Sequence, residues 1–237
     1  MPTARRYKDP CGIARALDVL GDRWALLVVR ELIFEPQRFI QLRGNLRGIS
    51  PNVLSQRLRD LAEAGVVRLV LDPVASVAVY ELTDRGRALE PVLIELGRWG
   101  SAEPSASSRE LTGSALLLAL KTVFDPAAAA GIDAMFALRI DGDWFRVRVA
   151  DGAIAIAHGR AEQPAVSFDT DVATLRAVAF GRVPLSAAER DGRLVVHGDR
   201  TLAAHFTRMF PAPTGSAVAL SGLRSAGAGP AHGPTAG

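Results

Sequence analysis

The chain has 237 residues, of which 49% are apolar and 22% charged, with a formal net charge of +3. That length suits one large domain or two ordinary ones, and the apolar share supplies a core and excludes global disorder. A lone cysteine, Cys11, excludes an intrachain disulfide, and no stretch reaches the roughly 20 apolar residues of a membrane span. With no signal-peptide run at the N-terminus, the expectation is a protein of the reducing cytoplasm without a membrane partner.

In chain order, residues 11–20 read as a helix with Ile13, Ala16, Leu17 and Leu20 in one stripe. Gly21-Asp22 breaks it, and Asp22 caps a second helix from Arg23 to about Phe34, which Pro36 ends. A short third helix follows from Arg38 to about Arg43, with Phe39 and Leu42 inward, and then a turn over Gly44 to Gly48. Ser50 is the N-cap of the next helix and Pro51 suits its first position. Leu54, Leu58 and Leu61 make its apolar stripe, and Gly65 ends it. Its other side carries Asn52, Ser55, Gln56 and Arg59, with Arg57 on the flank. Taken alone, residues 49–65 are equally an amphipathic surface helix. A short helix, a glycine-containing turn and a polar-faced helix together match helix-turn-helix organisation.

Val66–Leu71 and Val77–Leu82 read as a hairpin turning at Asp72-Pro73, the position of the wing in a winged helix-turn-helix. Thr83 then caps a long helix to about Ser101, with Leu89, Val92, Leu93, Leu96 and Trp99 along one stripe. That stripe serves either a dimer interface or packing against the C-terminal half. Charge concentrates in this part of the chain. Arg38, Arg43, Arg47, Arg57, Arg59 and Arg68 face only Asp60 and Glu63 over residues 38–68, a local balance of +4. A confined basic patch is what a small DNA-binding module needs.

Cys11, the Ala-Leu-Asp-Val-Leu-Gly-Asp-Arg-Trp run at 16–24, Gly48-Ile49-Ser50-Pro51, Leu54-Ser55-Gln56-Arg57-Leu58 and Tyr80-Glu81-Leu82-Thr83-Asp84-Arg85-Gly86 resemble the HxlR-type transcriptional regulators. The likeness covers about residues 8–101. It implies a dimeric winged-helix DNA-binding domain, repressor or activator, on a pseudo-palindromic operator of double-stranded DNA. On the residues themselves, Asn52, Ser55, Gln56 and Arg59 are candidates for base edges, with Ser50 at the helix start. Arg38, Arg43, Arg47 and Arg57 suit phosphates. Relatives usually carry an arginine near the wing tip, whereas residues 72–78 hold no basic residue here, so the recognition helix carries more of the specificity. Cys11, near Lys8 and Arg15, is a redox candidate, against a plain reading as a small residue at a helix start.

Residues 102–109 are a small-residue linker, so a first domain is expected over 1–104 and a second over 110–212. The second reads as a helix from about Glu110 to Phe124, strands at Ala134–Ile140, Trp144–Val149, Ala153–His158 and Val166–Thr170, a helix capped by Asp171, a strand at Arg193–His197 and a helix from Arg200 to Met209. That order is α+β. Phe168-Asp169-Thr170-Asp171, Leu175, Phe180-Gly181 and the run Gly192 to Asp199 resemble sterol-carrier-protein-type domains over roughly residues 112–211. The resemblance implies one sheet covered by helices around an apolar tunnel. Phe136, Trp144, Phe168, Leu175, Phe180, Phe206 and Met209 are the candidates to line it for a hydrophobic small molecule, with core filling as the alternative role. Residues 221–237, rich in Gly, Ala, Ser and Pro, are expected to form a disordered tail.

His158, His197 and His205 lack metal-ligand spacing, and no phosphate loop, paired carboxylates or activated nucleophile stands out. The sequence therefore calls for no metal, no cofactor and no catalytic site. The reading is a DNA-binding regulator with an effector-binding C-terminal domain. The alternative is a lipid-binding carrier that uses its winged helix for protein contacts.

Overall fold

A computed structural model describes residues 7–73, 75–101 and 110–211; the expected linker at 102–109 and tail at 221–237 lie outside the described residues. The first half is helical: α1 (Gly12–Leu20), α2 (Ala25–Leu32), α3 (Phe39–Asn45) and α4 (Pro51–Glu63). The hairpin follows as β1 (Val67–Leu71) and β2 (Ala78–Leu82), paired antiparallel with Val67 opposite Leu82. Gln37 exchanges both backbone hydrogen bonds with Tyr80, which adds a third short rung beside β2 that the sequence reading missed. Ala25, Val28, Leu32, Leu42, Leu54, Leu58, Leu61 and Leu82 are buried as this half's core.

The long helix expected from Thr83 to Ser101 is two: α5 (Asp84–Arg87) and α6 (Glu90–Gly100). Pro91 explains the break. Its ring has no N–H to give and would crowd the carbonyl four residues back, so it opens a new helix rather than continuing one. Thr83 still caps, with Oγ1 accepting from the Gly86 backbone at 3.2 Å. Gly86 is required by space, because a Cβ there would lie 2.2 Å from the Val66 carbonyl oxygen.

The second half opens with α7 (Gly113–Val123), capped by Thr112, whose Oγ1 accepts from Ala115 N at 3.1 Å. A five-stranded sheet follows: β3 (Ala134–Ile140), β4 (Asp143–Ala150), β5 (Ala153–His158), β6 (Val166–Thr170) and β7 (Leu194–Gly198). Its order is β5-β4-β3-β6-β7, and β3 runs parallel to β6 while the other pairs are antiparallel. The sheet is therefore mixed. Helices α8 (Val172–Ala179), α9 (Leu185–Arg190) and α10 (Arg200–Arg208) complete it, α9 being an element that the sequence reading did not place.

The halves pack together through α2, α6 and α7, and their buried apolar residues form one continuous core. Leu93 is buried on α6, while Val92, Leu96 and Trp99 stay exposed, Trp99 at 79%. Both uses envisaged for the α6 stripe thus have residues: part packs on the C-terminal half, part is left uncovered. The stripe of α1 is partly bare, with Ile13 and Leu17 exposed, Leu20 half-buried against the core and Ala14 buried instead.

Candidate nucleic-acid interface and ligand cavities

Helix α4 is positioned by its cap and its leucines. Ser50 Oγ accepts from Val53 N at 3.3 Å, so this hydroxyl serves the helix start. Burial of Leu54, Leu58 and Leu61 turns Asn52, Gln56 and Arg59 to solvent, with Ser55 half-buried beside them. Gln56 and Arg59 are already joined: Arg59 Nη2 donates to Gln56 Oε1 at 2.7 Å, and Gln56 Nε2 donates to Asp60 Oδ1 at 2.6 Å. Both ends of that amide are thereby oriented, and the guanidinium beside it stays exposed. Arg38, Arg43 and Arg47 are exposed on α3 and the turn after it.

Arg57 departs from its expected role. Its guanidinium lies 2.6 Å from Asp22 Oδ2 and 3.0 Å from Asp60 Oδ2, with the side chain only 15% exposed. It ties α4 to the turn between α1 and α2 rather than offering itself to a phosphate. On the wing, Arg68 is exposed and pairs with Glu81 at 2.6 Å, so the hairpin's own cation is partly neutralised. Cys11 is exposed, and its backbone N–H donates to Asp9 Oδ1 at 2.8 Å.

The basic helix face, its short preceding helix and the hairpin thus lie in one module. The HxlR-like helix-turn-helix family model matches residues 19–108. The HTH-type transcriptional regulator YvaP of Bacillus subtilis is 40% identical over 88 residues, which are 37% of this chain and 82% of that protein. The chain belongs to the HxlR-like family. Another relative, the HTH-type transcriptional regulator sll1512 of Synechocystis, is 39% identical over 92 residues, 38% of this chain and 68% of that protein. Among solved structures, the reduced form of the transcriptional regulator YodB from B. subtilis matches 42% of this chain and all of its own, at 27% identity and TM-score 0.35. The SCP-2 sterol transfer family model matches residues 116–211, so this HxlR-like regulator carries a second, sterol-carrier-like domain.

In that domain the tunnel candidates take different places. The Phe206 ring lies 4.7 Å from Phe136, 5.2 Å from Phe168 and 5.0 Å from Phe210. These rings, Leu175 and Met209 are fully buried and belong to the packed core. Ring-on-ring contact at these distances fills space rather than lining a void. Trp144 is instead half-buried between Arg139 and Arg160, whose guanidinium carbons lie 5.9 and 4.9 Å from its ring centre. Phe180 meets an open hollow among the described residues, an apolar groove of about 390 Å³ with Leu26, Leu93, Leu96, Leu118 and Val123 around it.

A larger cleft of about 560 Å³ lies where the two halves meet, bounded by α2, the end of α3, the residues leading into α7 and the β3–β4 turn. The sequence reading had no candidate there. Its framework is a buried polar knot. Glu31 Oε1 accepts from Arg30 Nη2 at 2.6 Å and from Thr112 Oγ1 at 2.9 Å, and the Glu31 carbonyl accepts from Gln37 Nε2 at 2.7 Å. Gln37 Oε1 in turn accepts from Asn45 Nδ2 at 3.1 Å, linking α2 to α3. Glu35 lies 3.1 Å from His158 Nε2 across the junction. Burial, with Asp143 and then Glu31 nearby, pushes the Glu35 carboxyl up to about 7. The sequence signal was weak but present: a Glu at position 31 between the buried Val29 and Leu32 has to find partners. Among the described residues no helix is long and apolar enough to cross a membrane.

Proposed function

We propose that this regulator is a homodimer that binds a pseudo-palindromic operator through α4, and that a hydrophobic small molecule held by its C-terminal half modulates that binding. The observation that carries the DNA reading is the exposed row Asn52, Gln56 and Arg59 on a helix whose opposite face is fully buried. Amide and guanidinium groups can pair with two atoms of one base edge, which a surface helix without a partner has no need to orient. Arg38, Arg43 and Arg47 supply the sequence-independent attraction to phosphates. Dimerisation is supported by the bare stripes of α1 and α6, and a twofold would set two α4 helices about 34 Å apart, one turn of DNA.

The test is Arg59→Ala in a titration against a selected operator and against random duplex DNA. Affinity for the operator should fall by about fivefold or more, the loss of one good base contact at about 1–3 kcal/mol. Binding to random DNA should change much less. An equal loss on both DNAs refutes the base-contact role. If the parent chain binds duplex DNA no better than a neutral protein at two salt concentrations, the helix serves protein contacts and the carrier reading replaces this one.

A further inference from the structure

We infer that the cleft between the two halves is the effector site, and that its ligand is an organic cation: an amine head on an apolar body. The inference rests on the reading of this chain as a ligand-responsive regulator, and moves the effector from the C-terminal half alone to its junction with the winged helix.

The cleft's size falls among small-molecule sites, which run from about 300 to 1,000 Å³. Its lining includes the apolar side chains of Trp24, Leu27, Ile140 and Phe145. It also includes four carboxyl side chains, those of Glu35, Glu110, Asp141 and Asp143. Two cations also line it, Arg30 and Arg47, but Arg30 is paired to Glu31. Glu31 is fully buried, and its bonds to Arg30 and Thr112, two residues of the wall, set its carboxylate directly behind that wall. Its second oxygen, Oε2, is buried without a hydrogen-bond partner. The four lining carboxyl groups outnumber the two lining arginines, one of which is already paired, and give the cleft a negative field. An ammonium group answers that field, and an aryl or alkyl body answers the wall. A bare metal ion fits less well, because no three His, Cys, Asp or Glu among the described residues converge with metal-holding geometry.

The place of the cleft supplies the coupling. Gly44, Asn45, Leu46 and Arg47 line it, and they form the end of α3 and the turn toward α4. Arg47 is also one of the phosphate candidates. A cation in the cleft lies beside Arg47 and beside the Gln37–Asn45 bond that, through the Glu31 carbonyl, ties α3 to α2. Binding would then carry different free energies in the DNA-competent and incompetent arrangements, which is what an effector requires.

Protonation sets the pH dependence. Glu35 faces Arg30 and Glu31 on α2, Asp143 on β4 and His158 on β5, with Asp141, Glu110 and Arg47 on the remaining walls. With its carboxyl pushed up to about 7, an arriving cation must displace a proton below that pH. Affinity should rise about tenfold from pH 6 to pH 8 and level off above.

The experiment is isothermal titration of the full chain with phenethylamine and with its neutral counterpart 2-phenylethanol. Phenethylamine should bind at least tenfold more tightly. Glu35→Gln and Asp143→Asn should each weaken it fivefold or more while leaving 2-phenylethanol unchanged. Equal affinities for the two compounds, binding that survives both substitutions, or no amine binding overturns the inference. Operator titration of the same samples separates the two claims. An amine that binds without shifting DNA affinity keeps the cleft and removes the ligand-responsive reading. DNA binding that is intact while the amine is ignored keeps a DNA-binding regulator and removes the cleft as its amine site.

Discussion

Arg57→Ala is the substitution that best separates structure from recognition on α4. The guanidinium meets Asp22 and Asp60, whose side chains are 41% and 36% exposed. Exposed pairs of this kind contribute about 0.2–1 kcal/mol each, and both freed carboxylates can rehydrate, so the much larger cost of stranding a buried charge does not apply. Adding the lost packing of the methylene stem gives a total of about 1–2 kcal/mol. For a chain of this size each 1 kcal/mol lowers Tm by about 2–4 °C, so a drop of roughly 2–8 °C is expected. The same variant should keep its slope of log Kd against log salt on operator DNA, because no phosphate contact has gone. Arg43→Ala should do the reverse, with Tm held and the slope reduced by about 1. Calorimetry and a salt series measure both quantities on the same preparations. An Arg57→Ala protein with unchanged Tm and a slope smaller by about 1 would refute the structural role and return Arg57 to the phosphate contacts.

Three other outcomes are expected. Phe206→Ala should destabilise the protein by about 3–5 kcal/mol in urea unfolding, as a filled core does; a cost under about 1 kcal/mol would mean that the rings line a void. Glu35→Gln should raise Tm at pH 8 and not near pH 4. The raised carboxyl favours the folded state only while protonated, so its contribution is lost as pH rises from the ordinary 4.5 to about 7. A Tm difference that stays constant across that range would contradict the assignment. Finally, Ile13→Asp with Trp99→Asp should leave a monomer in size-exclusion chromatography, since both side chains lie on uncovered stripes; a persistent dimer places the interface elsewhere.

Local and periodic features are legible in the amino-acid sequence. Leucines at helical spacing, the Ser50-Pro51 start, the hairpin turns and the ordered run of residues shared with HxlR-like regulators suffice for the winged helix and the sheet. Strands Ala134–Ile140, Ala153–His158 and Val166–Thr170 have the residues that alternation predicts. Such patterns depend on neighbours a few positions apart, which a single chain displays directly. Where the rule needed more than a stripe, it slipped: Pro91 divides a helix whose apolar spacing runs straight through it.

Which partner each side chain finds depends on contacts between distant parts of the chain. Arg57 and Arg59 are two residues apart and look alike in sequence, yet one is held by Asp22 from 35 positions away and the other faces solvent. Phe136, Phe168, Phe206 and Phe210 come from two strands and the C-terminal end, and only their meeting shows a filled core instead of a tunnel wall. The cleft is the extreme case, with Glu35, Thr112 and Asp143 in its wall and Glu31 and His158 bonded to that wall, drawn from both halves of the chain. Nothing in their spacing marks them as neighbours. Burial and electrostatics act through space, so the charge on Glu35 is set by residues that folding alone brings beside it.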